Sequence, residues 1–483
     1  MRTKIVATLG PASASEDKIE KLILAGADVF RLNFSHGDPE FHIRCARMVR
    51  TASQKHSNRI ALLGDMQGPK IRIGEVDRGT MNLKTGETIR LRGGKGISDS
   101  SILFINYEGL AGDVQPGNRV LLDDGKISLR ILRPAGPEIL EAEILAGGEL
   151  TARKGVNLPD SRLSLSALTE KDRNDLALAR ELEIDWIALS FVRSAEDIQH
   201  LRRVLKTMGR QWNPGIIAKI EKPEAVLNLE KIIDASDALM VARGDLGVEL
   251  PYEQVPVVQK NTIRKAVPKG KPVIVATQML EGMITHTRPT RAEINDIANS
   301  VMDGADALML SGETSMGSYP VEAVEAMSRT IAETEKHLNH YHRLTESETT
   351  HPGRMISDAV IGAAVELSQQ TGARAILTYT LTGYTALKLA SHRPLSRIYT
   401  FARSPRLLRR LSLVWGIEGF LQKNLKYTDD NLDQMLSVLQ NENRVSEGDI
   451  VVKIAGFPMK EKVKSNLVVV TRVKAFEKKK GQS

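Results

Sequence analysis

The sequence predicts an α/β protein in which a (β/α)8 barrel carries an inserted small β-barrel lid and is followed by an open α/β domain. Eight short apolar runs, each followed by a helical pattern, predict the barrel, because strands buried on both faces of a parallel sheet read as continuous hydrophobic runs. Alternating residues between Gly-rich turns predict the lid. A fresh βα alternation near the end of the chain predicts the last domain.

The predicted barrel strands end in polar or charged residues. In chain order the runs are KIVATLG (4–10), DVFRLNFSH (28–36), RIALLGDMQG (59–68), DWIALSFV (185–192), GIIAKIE (215–221), ALMVARGDLG (238–247), KPVIVATQ (271–278) and DALMLSGE (306–313). In a barrel of this TIM type the active site lies at the carboxyl ends of the strands. The candidate site residues are therefore Arg31, Asn33, Ser35, Asp65, Lys219, Glu221, Asp245, Thr277 and Glu313.

The pattern changes after Pro69 to short alternating strands, in the segments KIRIGEV, TMNLKTGETIRL, NRVLLDDGKISLRIL and EILEAEILAGGEL. Such segments predict a small β domain, which would lie over the barrel mouth as a lid. Capping-box patterns at Thr169 to Asp172 and at Ser194 to Asp197 mark the return of helices. We assign residues 1–69 and 161–345 to the barrel and residues 70–160 to the lid.

A second α/β alternation fills the last part of the chain. The pattern VEAVEAMSRTIAETEKHL predicts the eighth barrel helix, the polar stretch 339–352 predicts a linker, and residues 346–483 are assigned to a C-terminal domain. Its predicted elements are helix SDAVIGAAVELSQQ, strand RAILTYT, helix YTALKLASH, strand RIYTFA, helices PRLLRRLSLVWG and LDQMLSVLQ, and strands DIVVKIAG and LVVVTRV. That order predicts an open sheet, separate from the barrel.

The composition is that of an ordinary globular protein of 483 residues, 41% of them hydrophobic. No apolar stretch reaches the roughly 18 residues of a membrane span, and MRTK leads directly into a strand, so we expect a cytoplasmic protein without a membrane partner. Cys45 is the only cysteine, and a lone thiol in a helical pattern is expected to pack. The net charge of +8 comes without a nucleic-acid-binding motif, so no nucleic-acid partner is expected.

Two carboxylates end neighbouring predicted strands, Glu221 in AKIE and Asp245 in ARGDLG. Such a pair suits Mg²⁺, which takes one or two carboxylates and completes its shell with water and phosphate oxygens. Lys219 lies two residues before Glu221 and points to the same face, where an ammonium can stabilise a transferring phosphoryl group or an enolate. The alternatives are structural pairs, of Arg243 with Asp245 and of Lys219 with Glu221.

Other strand ends add hydrogen-bond donors. The side chains that could donate hydrogen bonds to a phosphate or a carboxylate are those of Arg31, Asn33, Ser35 and Arg72. Thr277 could bind substrate or orient a water, and His36 could transfer a proton, although either could be purely structural.

No GxxxxGK[S/T] motif occurs, so phosphate must be bound in another way. The loops SGETSMG, after the eighth run, and TYTLTGYT (378–385) lead into helices, where backbone N–H groups bind phosphate well. The same composition is common in ordinary N-capped turns, so each loop alone is a weak signal.

A series of motifs is more specific than any single residue. In order they are KIVATLGPAS, RLNFSHG, GDMQGPKIR, KGVNLP, AKIE, MVARGDLGVELP, ATQMLEGM, TRAEINDIAN and DALMLSGETSMGSYP, over residues 1 to about 330. With them the chain resembles the pyruvate kinase family, and its C-terminal third is similar in layout but looser in sequence. The resemblance implies transfer of the phosphoryl group of phosphoenolpyruvate to ADP, giving ATP and, after protonation of the enolate, pyruvate. It also implies a homotetramer.

The resemblance implies roles for individual residues. Glu221 and Asp245 would hold Mg²⁺, or Mn²⁺ in its place. Lys219 would stabilise the transferring phosphoryl group and the enolate. Arg31 would hold the phosphate, with Arg72 nearby at the lid hinge. The substrate carboxylate would bind the backbone of Gly244 and Asp245 together with Thr277, which would also lie near the water path that protonates the enolate. The nucleotide-side positions are Arg31, Asn33, His36 and Lys154.

A monovalent cation site and an effector site are also implied. The cation position comprises Asn33, Ser35, Asp65 and the backbone of Met66. Many family members carry Glu where this chain has Lys70, so the Lys70 ammonium is expected to replace potassium, which would then not be required. An allosteric sugar phosphate or AMP is expected to bind at Thr380, Thr382, Gly383 and Thr385.

Two other classes of protein would share part of this pattern. Another barrel enzyme acting on phosphoenolpyruvate, such as a carboxylase or an aldolase, would share the metal, the lysine and the carboxylates but would not require a nucleotide-side lid. A catalytically silent regulator would have lost Lys219, Glu221 or Asp245, and all three are present.

Overall fold

The structure is a computed structural model that describes residues 1–55, 59–209, 211–338, 352–422, 431–457 and 463–475. The predicted linker at 339–352 lies outside these ranges except for its last residue. Within them, no helix has both the length and the apolar character needed to cross a membrane.

The barrel begins at the first residues of the chain. Its first elements are β1 (Lys4–Thr8), α1 (Glu16–Ala25), β2 (Val29–Asn33), α2 (Pro39–Lys55) and β3 (Ala61–Asp65). Ser15 caps α1 by accepting the N–H of Lys18, and the helix ends at Gly26, whose φ of 121° suits glycine. Cys45 is buried in α2, where burial raises the pKa of its thiol to about 11, so the expectation that it packs is confirmed.

A β-rich domain is inserted after β3. Its elements are β4 (Glu75–Val76), β5 (Thr80–Leu83), β6 (Thr88–Gly93), β7 (Ile97–Ser98), β8 (Ile102–Ile105), α3 (Leu110–Asp113), β9 (Arg119–Leu122), β10 (Ile127–Gly136), β11 (Ile139–Ala146), β12 (Gly148–Thr151) and β13 (Val156–Asn157). The main sheet has the order β13-β9-β10-β11-β6-β8, beside the pairs β12-β5 and β4-β7. In β11 buried residues alternate with more exposed ones, as expected for a sheet with one face on a core.

The chain then returns to the barrel. The elements are α4 (Glu170–Glu181), β14 (Trp186–Leu189), α5 (Ala195–Thr207), β15 (Gly215–Ile220), α6 (Pro223–Leu227), α7 (Leu229–Ala235), β16 (Ala238–Ala242), α8 (Arg243–Glu249), α9 (Val255–Ala266), β17 (Val273–Ala276), α10 (Arg291–Met302), β18 (Ala307–Leu310), α11 (Gly312–Ser315) and α12 (Pro320–Lys336). Both predicted capping boxes, at the starts of α4 and α5, are confirmed. The sixth predicted strand is too long, because β16 ends at Ala242 and the following residues, RGDLGVE, form α8.

The eight parallel strands close in the order β1-β18-β17-β16-β15-β14-β3-β2, which confirms the predicted barrel. Strand side chains such as Val6, Ile217, Met240 and Ile274 fill its interior, and Leu413 from the last domain joins the same cluster. The carboxyl ends of all eight strands therefore meet at one mouth, on the side from which the β-rich domain is inserted.

Four aspartates form a repeated device at the opposite, amino-terminal end of the barrel. Asp28, Asp185, Asp237 and Asp306 each precede a strand and accept the backbone N–H of Ile5, Leu62, Ile216 and Val273, respectively, at 2.9 or 3.0 Å. Their respective cations are Lys4, Arg50, Arg202 and Arg393. Each carboxylate thus connects the strand that follows it to a neighbouring strand. We call these four residues the floor aspartates.

The C-terminal domain is an open α/β sheet, as predicted. Its elements are α13 (Met355–Gln370), β19 (Ala375–Tyr379), α14 (Tyr384–Ser391), β20 (Arg397–Ala402), α15 (Pro405–Leu411), β21 (Ile417–Leu421), α16 (Asn431–Asn441), β22 (Ile450–Ala455) and β23 (Leu467–Arg472). The sheet order is β21-β20-β19-β22-β23, in which only β23 is antiparallel. Strand β21 was not predicted, and the predicted helix PRLLRRLSLVWG is too long, since α15 ends at Leu411.

This domain is docked against the floor of the barrel. Arg409 Nε donates to Asp185 at 2.9 Å, and Arg393 Nη2 donates to Asp306 at 2.9 Å. Trp415 N–H also donates to Asp306, at 3.2 Å. Two of the four floor aspartates therefore receive a charged partner from another domain.

Candidate active site

A buried ammonium lies at the mouth of the barrel among three oxygen acceptors. Lys219 Nζ is 2.7 Å from Glu221 Oε1 and 3.3 Å from Asp65 Oδ1, and it donates to Ser190 Oγ at 2.8 Å. Burial by itself lowers the pKa of Lys219, but the charges of Asp65, Glu221 and Asp245 raise it well above its ordinary value. The mouth therefore holds a fixed positive charge.

Asp65 orients a second cation. Its Oδ2 accepts Arg31 Nε at 2.8 Å, and Arg31 Nη1 donates to Thr8 Oγ1 at 3.1 Å. Burial alone would raise the pKa of Asp65, but Lys219 and Arg31 bring it below its ordinary value. In the described part of the chain Arg31 Nη2 has no partner, so one guanidinium nitrogen is left for an anion.

Glu221 and Asp245, the predicted metal ligands, differ in how they are held. Glu221 Oε2 accepts the N–H of Phe191 at 2.9 Å, and burial raises the pKa of Glu221 although Lys219 opposes the shift. Asp245 is exposed at the start of α8 and, among the described residues, makes no hydrogen bond or ion pair. The charge of Asp245 reaches both Glu221 and Lys219, so the two carboxylates share one electrostatic environment.

Arg243, the alternative structural partner of Asp245, is engaged elsewhere. Its guanidinium binds both oxygens of Asp296, at 2.6 and 2.7 Å, and also donates to the carbonyl of Thr277 at 2.8 Å. The structure therefore does not support neutralisation of Asp245 by Arg243, and the carboxylate stays available to a cation.

The donor set fits a magnesium ion. Within the described ranges no group of three or more His, Cys, Asp or Glu side chains is arranged to hold a metal. Mg²⁺ needs no such cage, because one or two carboxylates with water and substrate phosphate oxygens complete its shell. Glu221 and the unpaired Asp245 are two carboxylates of the kind that such an ion would need.

Thr277 adopts an unusual backbone conformation. Its φ is 70° and that of the next residue, Gln278, is 54°, both in the left-handed region that a β-branched residue rarely occupies. Thr277 Oγ1 accepts the N–H of Gly244 at 2.7 Å and donates to the carbonyl of Ala276 at 2.6 Å. Strain of this kind is characteristic of functional sites, and here it fixes a hydroxyl beside the start of α8.

The loop after β2 lies at the same mouth. Asn33 Oδ1 accepts the N–H of Ser35 at 3.1 Å, and the His36 carbonyl contacts His42 Nε2 at 2.9 Å. Burial is the main cause that lowers the pKa of His36, with the charges of Lys70, Arg72 and Arg31 acting in the same direction. His36, a predicted nucleotide-side residue, therefore lies within the electrostatic reach of three cations.

Several predicted residues are not brought together with Lys219. Lys70 is exposed, and the ammonium that faces Asp65 is that of Lys219. Arg72 Nη1 donates to the carbonyl of Arg153 at 3.0 Å, and Lys154 Nζ pairs with Asp123 at 2.8 Å, both within the lid. Among the described residues, none of these three side chains contacts Lys219.

Sequence reasoning missed four residues of the mouth. Ser190 joins Lys219 to the carbonyl of Met66, to which it donates at 2.8 Å, and Phe191 holds Glu221 from a left-handed conformation with φ 55°. Lys222 and Glu249 form a buried pair at 2.6 Å. The run DWIALSFV contained the signal for Ser190, since its polar residue also ends a barrel strand.

The predicted effector loop borders a separate cavity of about 230 Å³ in the C-terminal domain, lined in part by Arg354, Thr380, Thr382, Thr385 and Lys464. Thr380 Oγ1 accepts the N–H of Gly383 at 2.9 Å, and Gly383 has a φ of 92°, so glycine suits this turn. Thr385 Oγ shares a hydrogen bond with Ser465 at 2.9 Å. Two cationic residues and three threonines are thus among the residues that line one cavity.

A parallel barrel whose mouth fixes an ammonium and an arginine beside carboxylates, below an inserted β-rich domain, has the fixed positive charge that a phosphotransferase needs. Models of two domain families match the chain: "Pyruvate kinase, barrel domain" over residues 1–324 and "Pyruvate kinase, alpha/beta domain" over residues 358–471. The chain belongs to the pyruvate kinase family.

Named relatives agree over nearly the whole length. The chain is 42% identical over 480 residues to a pyruvate kinase of Agrobacterium vitis, covering 99% of this chain and 98% of the relative. It is 43% identical over 473 residues to a pyruvate kinase of Mycobacterium tuberculosis, covering 98% of each. The crystal structure of a pyruvate kinase from Cryptosporidium parvum superposes with a TM-score of 0.92 at 35% identity, covering 98% of this chain and 96% of that one.

Proposed function

We propose that the chain catalyses Mg²⁺-dependent transfer of the phosphoryl group from phosphoenolpyruvate to ADP, giving ATP and pyruvate as the last step of glycolysis in the cytoplasm. The observation that carries the proposal is the Lys219 ammonium, fixed between Asp65 and Glu221 and held protonated by them. A loose phosphoryl-transfer transition state needs positioning and positive charge more than covalent help.

The residues at the mouth divide the work. Arg31 would hold the phosphate of the substrate. Lys219 would stabilise the phosphoryl group during its transfer and the enolate that the transfer produces. Glu221 and Asp245 would hold Mg²⁺ or Mn²⁺, which when bound would supply further positive charge to stabilise the transferring phosphoryl group. Thr277 and the backbone of Gly244 and Asp245 would receive the substrate carboxylate, with Thr277 on the path of the proton.

The lid completes the site. Arg72 and Lys154 lie on it, whereas Asn33 and His36 lie on the barrel, so closure would bring the nucleotide-side groups together. Closure also excludes water, to which the phosphoryl group would otherwise be lost.

A coupled assay tests the proposal. Pyruvate formation from phosphoenolpyruvate should require both ADP and Mg²⁺, and ATP should form with it. A carboxylase or aldolase would consume phosphoenolpyruvate without ADP, and a silent regulator would bind it without turnover; either result would refute the proposal.

We further propose that Lys70 makes potassium unnecessary. Asp65 already faces Arg31 and Lys219, and the charge of Lys70 acts at His36, so an added monovalent cation would meet repulsion from several sides. In tetramethylammonium buffer with Mg²⁺ at constant ionic strength, KCl should change the wild-type rate by less than about twofold.

The matched variant is Lys70→Glu. We expect it to be roughly tenfold slower without potassium and partly rescued by KCl, because the new carboxylate both removes a cation and can attract one. A wild-type enzyme that is inert until KCl is added would contradict this prediction.

The cavity beside Thr382 is proposed to bind the phosphate of an allosteric sugar phosphate or of AMP. Thr382→Glu should abolish activation by each such ligand, because the introduced carboxylate repels phosphate, while basal turnover is kept. Initial rates with a panel of sugar phosphates and nucleotides measure this effect, with Gln369→Glu on α13 as the control. Unchanged activation in Thr382→Glu would place the effector elsewhere.

We also propose a homotetramer. Met355 and Ile356, at the start of α13, are 62% and 67% exposed, and Val470 on the neighbouring edge strand β23 is 41% exposed. Adjacent exposed apolar side chains favour association with another copy. Light scattering during size-exclusion chromatography should give four times the mass of one chain.

A further inference from the structure

Glu249, at the end of α8, joins three segments of the molecule. Its Oε1 accepts Lys222 Nζ at 2.6 Å and Asn157 Nδ2 at 2.7 Å. Lys222 follows β15 in the barrel, whereas Asn157 belongs to β13, which pairs with β9 of the lid. One carboxylate oxygen therefore ties the lid's return strand to two barrel elements.

Those two barrel elements are the ones that carry the candidate metal ligands. Lys222 is the residue after Glu221, and α8 carries Asp245 in its first turn and Glu249 at its end. The Lys222 ammonium also lies 5.9 Å from the ring centroid of Phe191, whose N–H binds Glu221. A shift of Asn157 would consequently be transmitted toward both carboxylates.

The junction is closed to solvent. The side chains of Glu249 and Lys222 are 1% and 9% exposed, and Glu249 Oε2 is buried without a hydrogen-bond partner among the described residues. A buried ion pair contributes little net stability, because desolvation offsets the attraction. The arrangement is therefore better explained by a requirement for position than by a requirement for stability.

We propose that Glu249 is a positioning residue, which sets the placement of the metal-binding carboxylates according to the position of the lid. It acts through Lys222 and α8 and touches neither substrate nor metal. This inference rests on the proposed function, since it gives the lid and the carboxylates their roles in phosphoryl transfer.

The test is a double-variant cycle on the full-length enzyme. Asn157→Ala removes the link to the lid and leaves the Lys222 pair. Glu249→Gln removes the charge that pairs with Lys222 and weakens the oxygen acceptor that both links share. Each should lower kcat about tenfold with less than about a threefold change in KM for phosphoenolpyruvate, because misplacement of catalytic groups acts on the chemical step. The double variant should be no slower than the slower single variant, since both break one connection.

Arg202→Met is the control, because it breaks another ion pair, with Asp237, at the opposite end of the barrel. Its kcat should stay within about twofold of wild type. Wild-type kcat in Asn157→Ala would overturn the inference even if Glu249→Gln failed to fold. Additive losses in a folded double variant would overturn it as well. Failure of the proposed function would appear differently, as a wild type that forms no pyruvate with ADP and Mg²⁺.

Discussion

Lys219→Met is expected to form pyruvate from phosphoenolpyruvate and ADP roughly a thousandfold more slowly than wild type, since preorganised charge at a developing anion is worth this much. Methionine keeps an unbranched side chain that is one atom shorter, and it removes the ammonium that lies 2.7 Å from Glu221 and 3.3 Å from Asp65. Binding of phosphoenolpyruvate and Mg²⁺ should change little, because the lost interaction is made mostly in the transition state.

Steady-state kinetics give the turnover, and isothermal titration calorimetry gives both affinities. Lys206→Met, which removes an exposed lysine on α5, is the control and should keep near-normal kcat. Near-normal turnover of Lys219→Met would contradict the proposal that Lys219 stabilises the transferring phosphoryl group.

Arg393→Met is expected to destabilise the protein by about 3–5 kcal/mol, the usual effect of breaking a buried ion pair by removing one partner. The side chains of Arg393 and Asp306 are 4% and 3% exposed, so the carboxylate would be left in the interior without its cation. Backbone donors from Val273 and Trp415 would still hold it, but they carry no net charge.

Urea unfolding followed by circular dichroism measures the loss as a lower midpoint. Arg329→Met breaks the exposed pair with Glu325 and should cost no more than about 0.5 kcal/mol. Equal midpoints for the two variants would show that Arg393 is not required to compensate Asp306.

The barrel could be predicted from the sequence because its strands are buried on both faces and therefore form continuous apolar runs. Strand β21 gave no such signal. It is an edge strand that includes Glu418, paired with Arg59 and Arg444 at 2.7 Å, and Gly419, which lies close to Leu408. With a charged residue and a glycine among its five residues, β21 does not form the continuous hydrophobic run by which a buried strand is recognised.

Part of the candidate site was equally predictable. Lys219 and Glu221 share a face because side chains in a strand repeat every two residues. The left-handed conformation of Thr277 could not be foreseen, since glycine is the usual sign of positive φ. Glu249 and Lys222 are 27 positions apart, and only the closed barrel brings them into contact.

The docked floor bears on how far the enzyme is modular. Leu413 joins the barrel's interior cluster, and Arg393 and Arg409 neutralise two floor aspartates. Part of the barrel's core is therefore supplied by the C-terminal domain. Residues 1–338 produced alone would expose that gap, whereas the same segment produced together with 352–483 as a second chain should assemble into an obligate heterodimer. In evolutionary terms, the catalytic and C-terminal halves can diverge at their distant faces but must change together where they meet.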